Sequence, residues 1–175
     1  MAVIDICKYP DPVLLKKAEP IKEVDESIKT LIQDMIDTMY MAPGIGLAAN
    51  QVGRPLRLIV FDVSAKDQEK NPSVILNPEI IEAEGEQTLE EGCLSVPDYS
   101  SDVKRSAKVK VRGLNIEGRP LEICGEGLLA TVLQHEIDHL DGILFIERIS
   151  ALKRALYKKR VQKKLKKQEE DLAQR

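Results

Sequence analysis

The sequence predicts an α+β fold: antiparallel strands packed around a central helix that carries His135-Glu136-Ile137-Asp138-His139, with a long helix at the carboxyl end. Three observations predict it. Apolar residues recur at helical spacing in three segments, near residues 28–39, 128–140 and 152–165. Between the first two lie runs that are apolar or alternate with period 2, as strands do. Strands and helices are largely segregated along the chain, with few β-α alternations, which is the order expected of an α+β domain.

Asp25 or Ser27 can cap the first helix, and Ile28, Leu31, Ile32, Met35, Ile36 and Met39 fall on one of its faces. Pro43-Gly44-Ile45-Gly46 ends it, and Leu56-Arg57-Leu58-Ile59-Val60-Phe61-Asp62-Val63 is a strand candidate. Asn71-Pro72 and Asn77-Pro78 punctuate the next extended segment. Lys108-Val109-Lys110-Val111-Arg112 alternates strictly and Pro120-Leu121-Glu122-Ile123 more weakly, so both read as antiparallel strands with one wet face. Leu128, Leu129, Val132, Leu133, Ile137 and Leu140 mark a helix over about 127–140, stopped by Asp141-Gly142. A last helix runs from about Ser150 and sets Leu152, Leu156, Val161 and Leu165 against a very basic remainder.

A chain of 175 residues, 43% hydrophobic and 31% charged, is long enough for one domain with a real core. No apolar run approaches the ~18 residues of a membrane span, and the amino-terminal segment lacks the pattern of a secretory leader, so a soluble cytoplasmic protein with no membrane partner is expected. Three cysteines, Cys7, Cys93 and Cys124, are too few and too odd for a disulfide framework, which leaves each as a core residue, a ligand or a nucleophile. Cys7 and Cys124 read as small core hydrophobes. The net charge of -3 hides an asymmetry: ten basic and three acidic residues from Ser150 onward carry +7, so residues 1–149 carry -10.

The chain has only two histidines, His135 and His139, and they stand four residues apart on the predicted helix, facing the same way. Glu136 lies beside them, placed to hold a water on a bound metal. By composition this coincidence would arise roughly once in a thousand chains, so the pair reads as metal ligands rather than surface polar residues. The third ligand must come from elsewhere. A third histidine does not exist, and the stretch from Ser150 to Lys167 contains no acid. Asp138 points away from the pair, and Asp141 and Glu147 would have to fold back awkwardly. Cys93 remains, in Glu90-Glu91-Gly92-Cys93-Leu94-Ser95-Val96-Pro97, where Gly92 permits a close backbone approach and Leu94-Ser95 carry amide N–H groups past it.

Gly44-Ile45-Gly46-Leu47-Ala48-Ala49-Asn50-Gln51-Val52-Gly53 lacks the third glycine and the preceding strand of a dinucleotide loop, and no Gly-Lys-Ser/Thr is present. It is either a structural turn or a tight backbone that meets a substrate edge on, with Gln51 offering a side-chain amide.

Together, G-I-G-L-A-A-N-Q, E-G-C-L-S and Q-H-E-I-D-H resemble, in order and approximate spacing, the three signature motifs of the peptide deformylases, and the resemblance spans most of residues 1–150. It implies metal ligation by Cys93, His135 and His139, in agreement with the elimination. It also implies hydrolytic removal of the N-formyl group from the initiator methionine of nascent chains, with release of formate. One Fe2+ per chain is the implied metal, with Zn2+, Ni2+ or Co2+ as substitutes. Residues 1–149 are then a single catalytic domain and 150–175 a basic amphipathic helix, part of it or appended to it.

In the implied mechanism a metal-activated water attacks the formyl carbon, Glu136 serves as general base and then acid, and the Gln51 amide and the Leu94 backbone N–H stabilise the formyl oxygen. The implied methionine pocket comprises Ile45, Gly46, Leu89, Glu91, Gly92, Leu128, Thr131 and Val132, although plain core packing accounts equally well for the helix residues among them. Where many members have an arginine soon after E-G-C-L-S-x-P, this chain has Tyr99-Ser100-Ser101, with Arg105 further on, so no downstream substrate contact carries over. The family's C-terminal helix implies a further partner, the ribosome, through rRNA phosphates. Two other classes compete with this reading. An endopeptidase lacks its third His or Glu ligand, and a non-catalytic binding module would need neither Glu136 nor so few aromatics, 3% with no Trp.

Overall fold

The computed structural model describes residues 2–175 and has the expected mixed α+β architecture with antiparallel sheets. Helix α1 (Glu26–Met41) starts where Asp25 accepts a hydrogen bond from the Ile28 N–H at 3.0 Å, so Asp25 is the cap and Ser27 only donates to it. Strands β1 (Gly46–Ala48), β2 (Leu58–Phe61) and β3 (Ser73–Glu84) follow. Next come β4 (Gln87–Cys93), β5 (Val96–Arg105), β6 (Lys108–Leu114) and β7 (Pro120–Glu126), then α2 (Gly127–Leu140) and α3 (Ala151–Ala173). One sheet has the order β1-β2-β3-β6-β7, and β4 and β5 form a separate two-stranded ribbon.

Helix α1 covers one face of the five-stranded sheet, where Ile28, Leu31, Ile32, Met35 and Met39 cluster with Leu47, Leu58, Val60 and Leu76. Helix α2 lies on the other face, where Ala130, Val132, Leu133, Ile137 and Leu140 meet Ala48, Ile59, Phe61, Ile75, Val109 and Val111. Strand β2 is therefore buried on both sides, which is why it reads as an unbroken apolar run. Its apolar flanks Leu56 and Val63 fall outside the strand. Asn77-Pro78 does not end β3: the strand passes through as a bulge, with Asn77 at φ 51° and its side-chain amide bonded to both backbone groups of Ile21. A bulge tolerates the missing N–H of Pro78. Helix α2 stops as predicted, because Gly142 adopts φ 75° and a Cβ there would lie 2.5 Å from the Leu15 carbonyl oxygen.

Two expectations fail. Cys124 is exposed on β7, not a core residue, whereas Cys7 is half-buried. Helix α3 does not lay the predicted stripe on the body: Leu152, Leu156 and Leu165 are exposed, and the anchor is Tyr157, 3% exposed, helped by Val161. Tyr157 packs between Tyr9 and Tyr99 at centroid distances of 5.9 and 4.7 Å, and Arg160 donates to the Asp98 carbonyl at 2.9 Å. The body ends there, so residues 162–175 have no surface to meet. Among the described residues no helix is long and apolar enough to cross a membrane.

Candidate metal centre

Helix α2 is buried on nearly every side, and its polar residues are buried with it: His135, Glu136, Asp138 and His139 are all at most 8% exposed. The one-turn spacing sets the two histidine rings 5.0 Å apart. Cys93 ends β4, just before the two-residue turn Leu94-Ser95 that leads into β5. Its Sγ lies 3.3 Å from Nε2 of His139. The ligand atoms of Cys93, His135 and His139 all fall within 4.8 Å of one another, the one such cluster among the described residues.

This donor set fits a divalent transition metal, because a thiolate and two imidazoles make a soft three-ligand site that leaves a coordination position open. The surroundings fit as well. Nδ1 of His135 donates to Oε1 of Glu91 at 2.8 Å, which places a proton on Nδ1 and leaves Nε2 as the atom for a ligand role once a metal displaces its proton. Oε2 of Glu136 is buried with no partner in the protein.

Behind the ligands runs a chain of charge that sequence reasoning missed. Arg105, 7% exposed, grips Glu91 through two bonds of 2.6 and 2.9 Å and donates to Asp138 at 2.9 Å. Arg148 closes on the far side of Asp138 with bonds of 3.1 and 2.9 Å. Glu91 thus orients a candidate ligand histidine, where the family pattern suggested only a pocket wall. Glu91 and Cys93 stand close in the chain, but nothing local marks that stretch as a strand, so their shared side was not legible. Nothing local could say that Arg105 would fold in to meet them. The His135 ring also stacks toward Phe145, centroids 6.1 Å apart.

These neighbours set the protonation states. Burial works against the charged form of Glu91, yet the bonds from His135 and Arg105 hold its carboxyl below the usual range. Burial pushes Glu136 up to about 7, against the pull of the His135 and Arg105 charges. Burial, then the charges of His135 and Arg105, drive His139 well below its ordinary value, toward the neutral imidazole that a metal requires.

A cavity of about 400 Å3 opens onto these groups. Of the residues named from the sequence, Ile45, Gly46, Gln51, Glu91, Gly92, Cys93, Leu94, Leu128, Thr131, Val132, His135 and Glu136 line it. His139 lies behind, fully buried. Leu89 is half-buried on β4 but outside the lining, where Glu90 and Pro43 appear instead. The Gln51 side chain is locked: Oε1 accepts from Ala48 N–H at 2.9 Å, and Nε2 donates to Ser95 Oγ at 3.1 Å while lying 3.6 Å from Cys93 Sγ. At Gly92 a Cβ would meet only the Tyr99 carbonyl oxygen at 3.7 Å, so the protein itself does not demand glycine there.

The polypeptide deformylase family model matches residues 3–155. A peptide deformylase of Syntrophobacter fumaroxidans is 55% identical over 166 residues, covering 95% of this chain and 98% of that relative. One of Thermodesulfovibrio yellowstonii is 54% identical, covering 94% and 99%. The crystal structure of a peptide deformylase from Legionella pneumophila superposes with a TM-score of 0.86 at 49% identity, over 95% of this chain and 98% of that one. Family match, relatives and fold agree with the three motifs gathered around one cavity: the chain belongs to the polypeptide deformylase family.

Proposed function

We propose that the chain removes the N-formyl group from the formyl-methionyl end of nascent polypeptides and releases formate. The observation that carries this reading is the convergence of Cys93, His135 and an unpartnered Glu136 carboxylate on one cavity, with His139 completing the ligand cluster from behind. When bound by Cys93, His135 and His139, a divalent metal, Fe2+ in this reading, supplies Lewis-acid polarisation and a water of lowered pKa.

The chain's own groups do the rest. Glu136 takes a proton from the attacking water and returns it to the departing amine, and a carboxyl whose pKa is raised toward neutrality suits both transfers. The Gln51 amide, held beside Cys93, and the Leu94 N–H donate to the formyl oxygen as charge builds on it. The methionine side chain enters between Leu128, Thr131 and Val132 of α2 and Ile45 of the loop before β1. Strand β1 is an edge of its sheet and β4 has a free edge in its ribbon, and both line the cavity, so an extended peptide lies between them and pairs with the backbone.

In this reading residues 1–149 form the catalytic body in the cytoplasm, and α3 offers the ribosome a row of lysines whose contacts are to phosphates. A formate-release assay on formyl-methionyl peptides, run beside unformylated peptides with internal bonds, tests the reaction, and metal analysis of anaerobically purified protein tests the metal. Cleavage of the internal bonds without formate release would overturn the proposal.

A further inference from the structure

Asp62 lies just past the end of β2, away from the groups described above, and is only 6% exposed. Its carboxylate accepts four hydrogen bonds. Oδ1 takes the Ser64 N–H at 2.9 Å and hydroxyl at 2.6 Å, and Oδ2 takes the Tyr40 hydroxyl at 2.5 Å and the Asn71 N–H at 2.9 Å. Burial resists ionisation here, but the bonds from Ser64, Tyr40 and Asn71 outweigh it and hold the carboxyl well below the usual range. Lys70 sits over the Tyr40 ring at 4.4 Å, closing the cluster from outside.

The cluster reaches the cavity through the backbone. Asp62 N–H donates to the Ile45 carbonyl at 2.9 Å, and its neighbour Phe61 pairs with Gly46. Ile45, with a half-exposed side chain, and Gly46 form one lip of the cavity, and Gly46 lies against the Glu136 carboxylate. Asp62 therefore ties the last turn of α1 and the loop after β2 to the backbone of that lip.

We infer that Asp62 is a positioning residue for substrate: by clamping Tyr40, Ser64 and Asn71 it fixes the Ile45–Gly46 edge against which the formylated peptide lies. The inference rests on the proposed reading of β1 as the edge that meets the peptide. A residue needed only for stability would, when replaced, lower stability and the fraction of folded enzyme. One that positions the lip raises KM more than it lowers kcat, because Cys93, His135 and His139 stand on other elements and only Glu136 touches the lip.

Asp62→Asn is the direct test. Each carboxylate oxygen faces a fixed backbone N–H, from Ser64 or Asn71, so an amide must turn its NH2 group toward one of them. Steady-state kinetics of the metal-loaded full chain on a formyl-methionyl tripeptide should show KM raised about fivefold or more, with a smaller change in kcat and metal content unchanged. Amide hydrogen exchange in the same metal-loaded protein should be faster at Gly46 and Leu47. Tyr40→Phe, which removes one of the four donors, should shift KM and exchange in the same direction by less, and it decides the matter if Asp62→Asn does not fold. Unchanged KM and exchange, or a fall in kcat that follows lost metal, would overturn the inference. If the wild type releases no formate, the reading of the reaction fails, and the exchange rates alone then decide whether Asp62 holds the lip.

Discussion

Gly46 and Glu136 are in such close contact that a Cβ on Gly46 would lie 2.6 Å from Oε1 of the glutamate. Glycine is required here by the neighbour, not by φ. Gly46→Ala must therefore displace a buried carboxylate, and kcat should fall roughly a hundredfold with metal content retained, since a misplacement near 1 Å can cost that much. Formate release and metal analysis on the same preparation check it, and wild-type turnover would place the working carboxylate elsewhere.

Glu136→Gln keeps the shape and removes the proton acceptor. Activity should fall by more than the ~10²-fold typical of one acid-base group, because in the proposed mechanism this side chain serves in both proton transfers, while the metal stays bound. Equal turnover in mutant and wild type would exclude the assigned role.

Cys93→Ser should lose or greatly weaken metal binding, whereas Cys7→Ser and Cys124→Ser should retain it, since neither belongs to the ligand cluster. Metal content after gel filtration decides, and loss from Cys7→Ser or Cys124→Ser alone would move the third ligand.

Glu91→Gln should lower metal affinity about 10- to 100-fold by loosening His135. Arg105→Leu leaves the buried carboxylates of Glu91 and Asp138 short of a partner and should cost about 3–5 kcal/mol in denaturant unfolding. The folded pKa of Glu91 lies below its ordinary value, so its contribution is complete above the ordinary carboxylate range and is lost as pH falls below it. The wild type should lose stability on that acid limb, and Arg105→Leu should lose less.

A chain cut after Gln162 keeps Tyr157, Arg160 and Val161, the residues that hold α3 to the body, and discards most of its lysines. It should deformylate free peptides at the wild-type rate yet bind ribosomes much more weakly, with a shallower salt dependence. Undiminished ribosome binding at low and moderate salt would make the lysine row a solvated face and nothing more.

Much of this protein is legible in its sequence wherever local pattern and long-range outcome agree. Helices α1 and α2 follow from the spacing of apolar residues such as Ile28, Leu31 and Met35, because one buried face imposes the 3.6 period. The two histidines point to a candidate metal site by their rarity and spacing, and exhaustion of the other ligand types leads to Cys93, which the fold brings to the same cluster. The ribbon β4–β5 was not legible as strands, because its inner face carries Glu91 and Arg105 where the pattern rule expects apolar residues. Two opposite charges can be buried only against each other, and their meeting across 14 residues is decided by pairing in three dimensions. The anchoring of α3 was hidden for a related reason. Its leucines satisfy the helical pattern, yet Tyr157 faces the body, because the rings of Tyr9 and Tyr99, far apart in the chain, come together only in the fold. Sequence determined the candidate ligands and the periodic elements; tertiary structure decided what holds each of those side chains in place, because charge pairs and ring stacks draw their partners from separate elements.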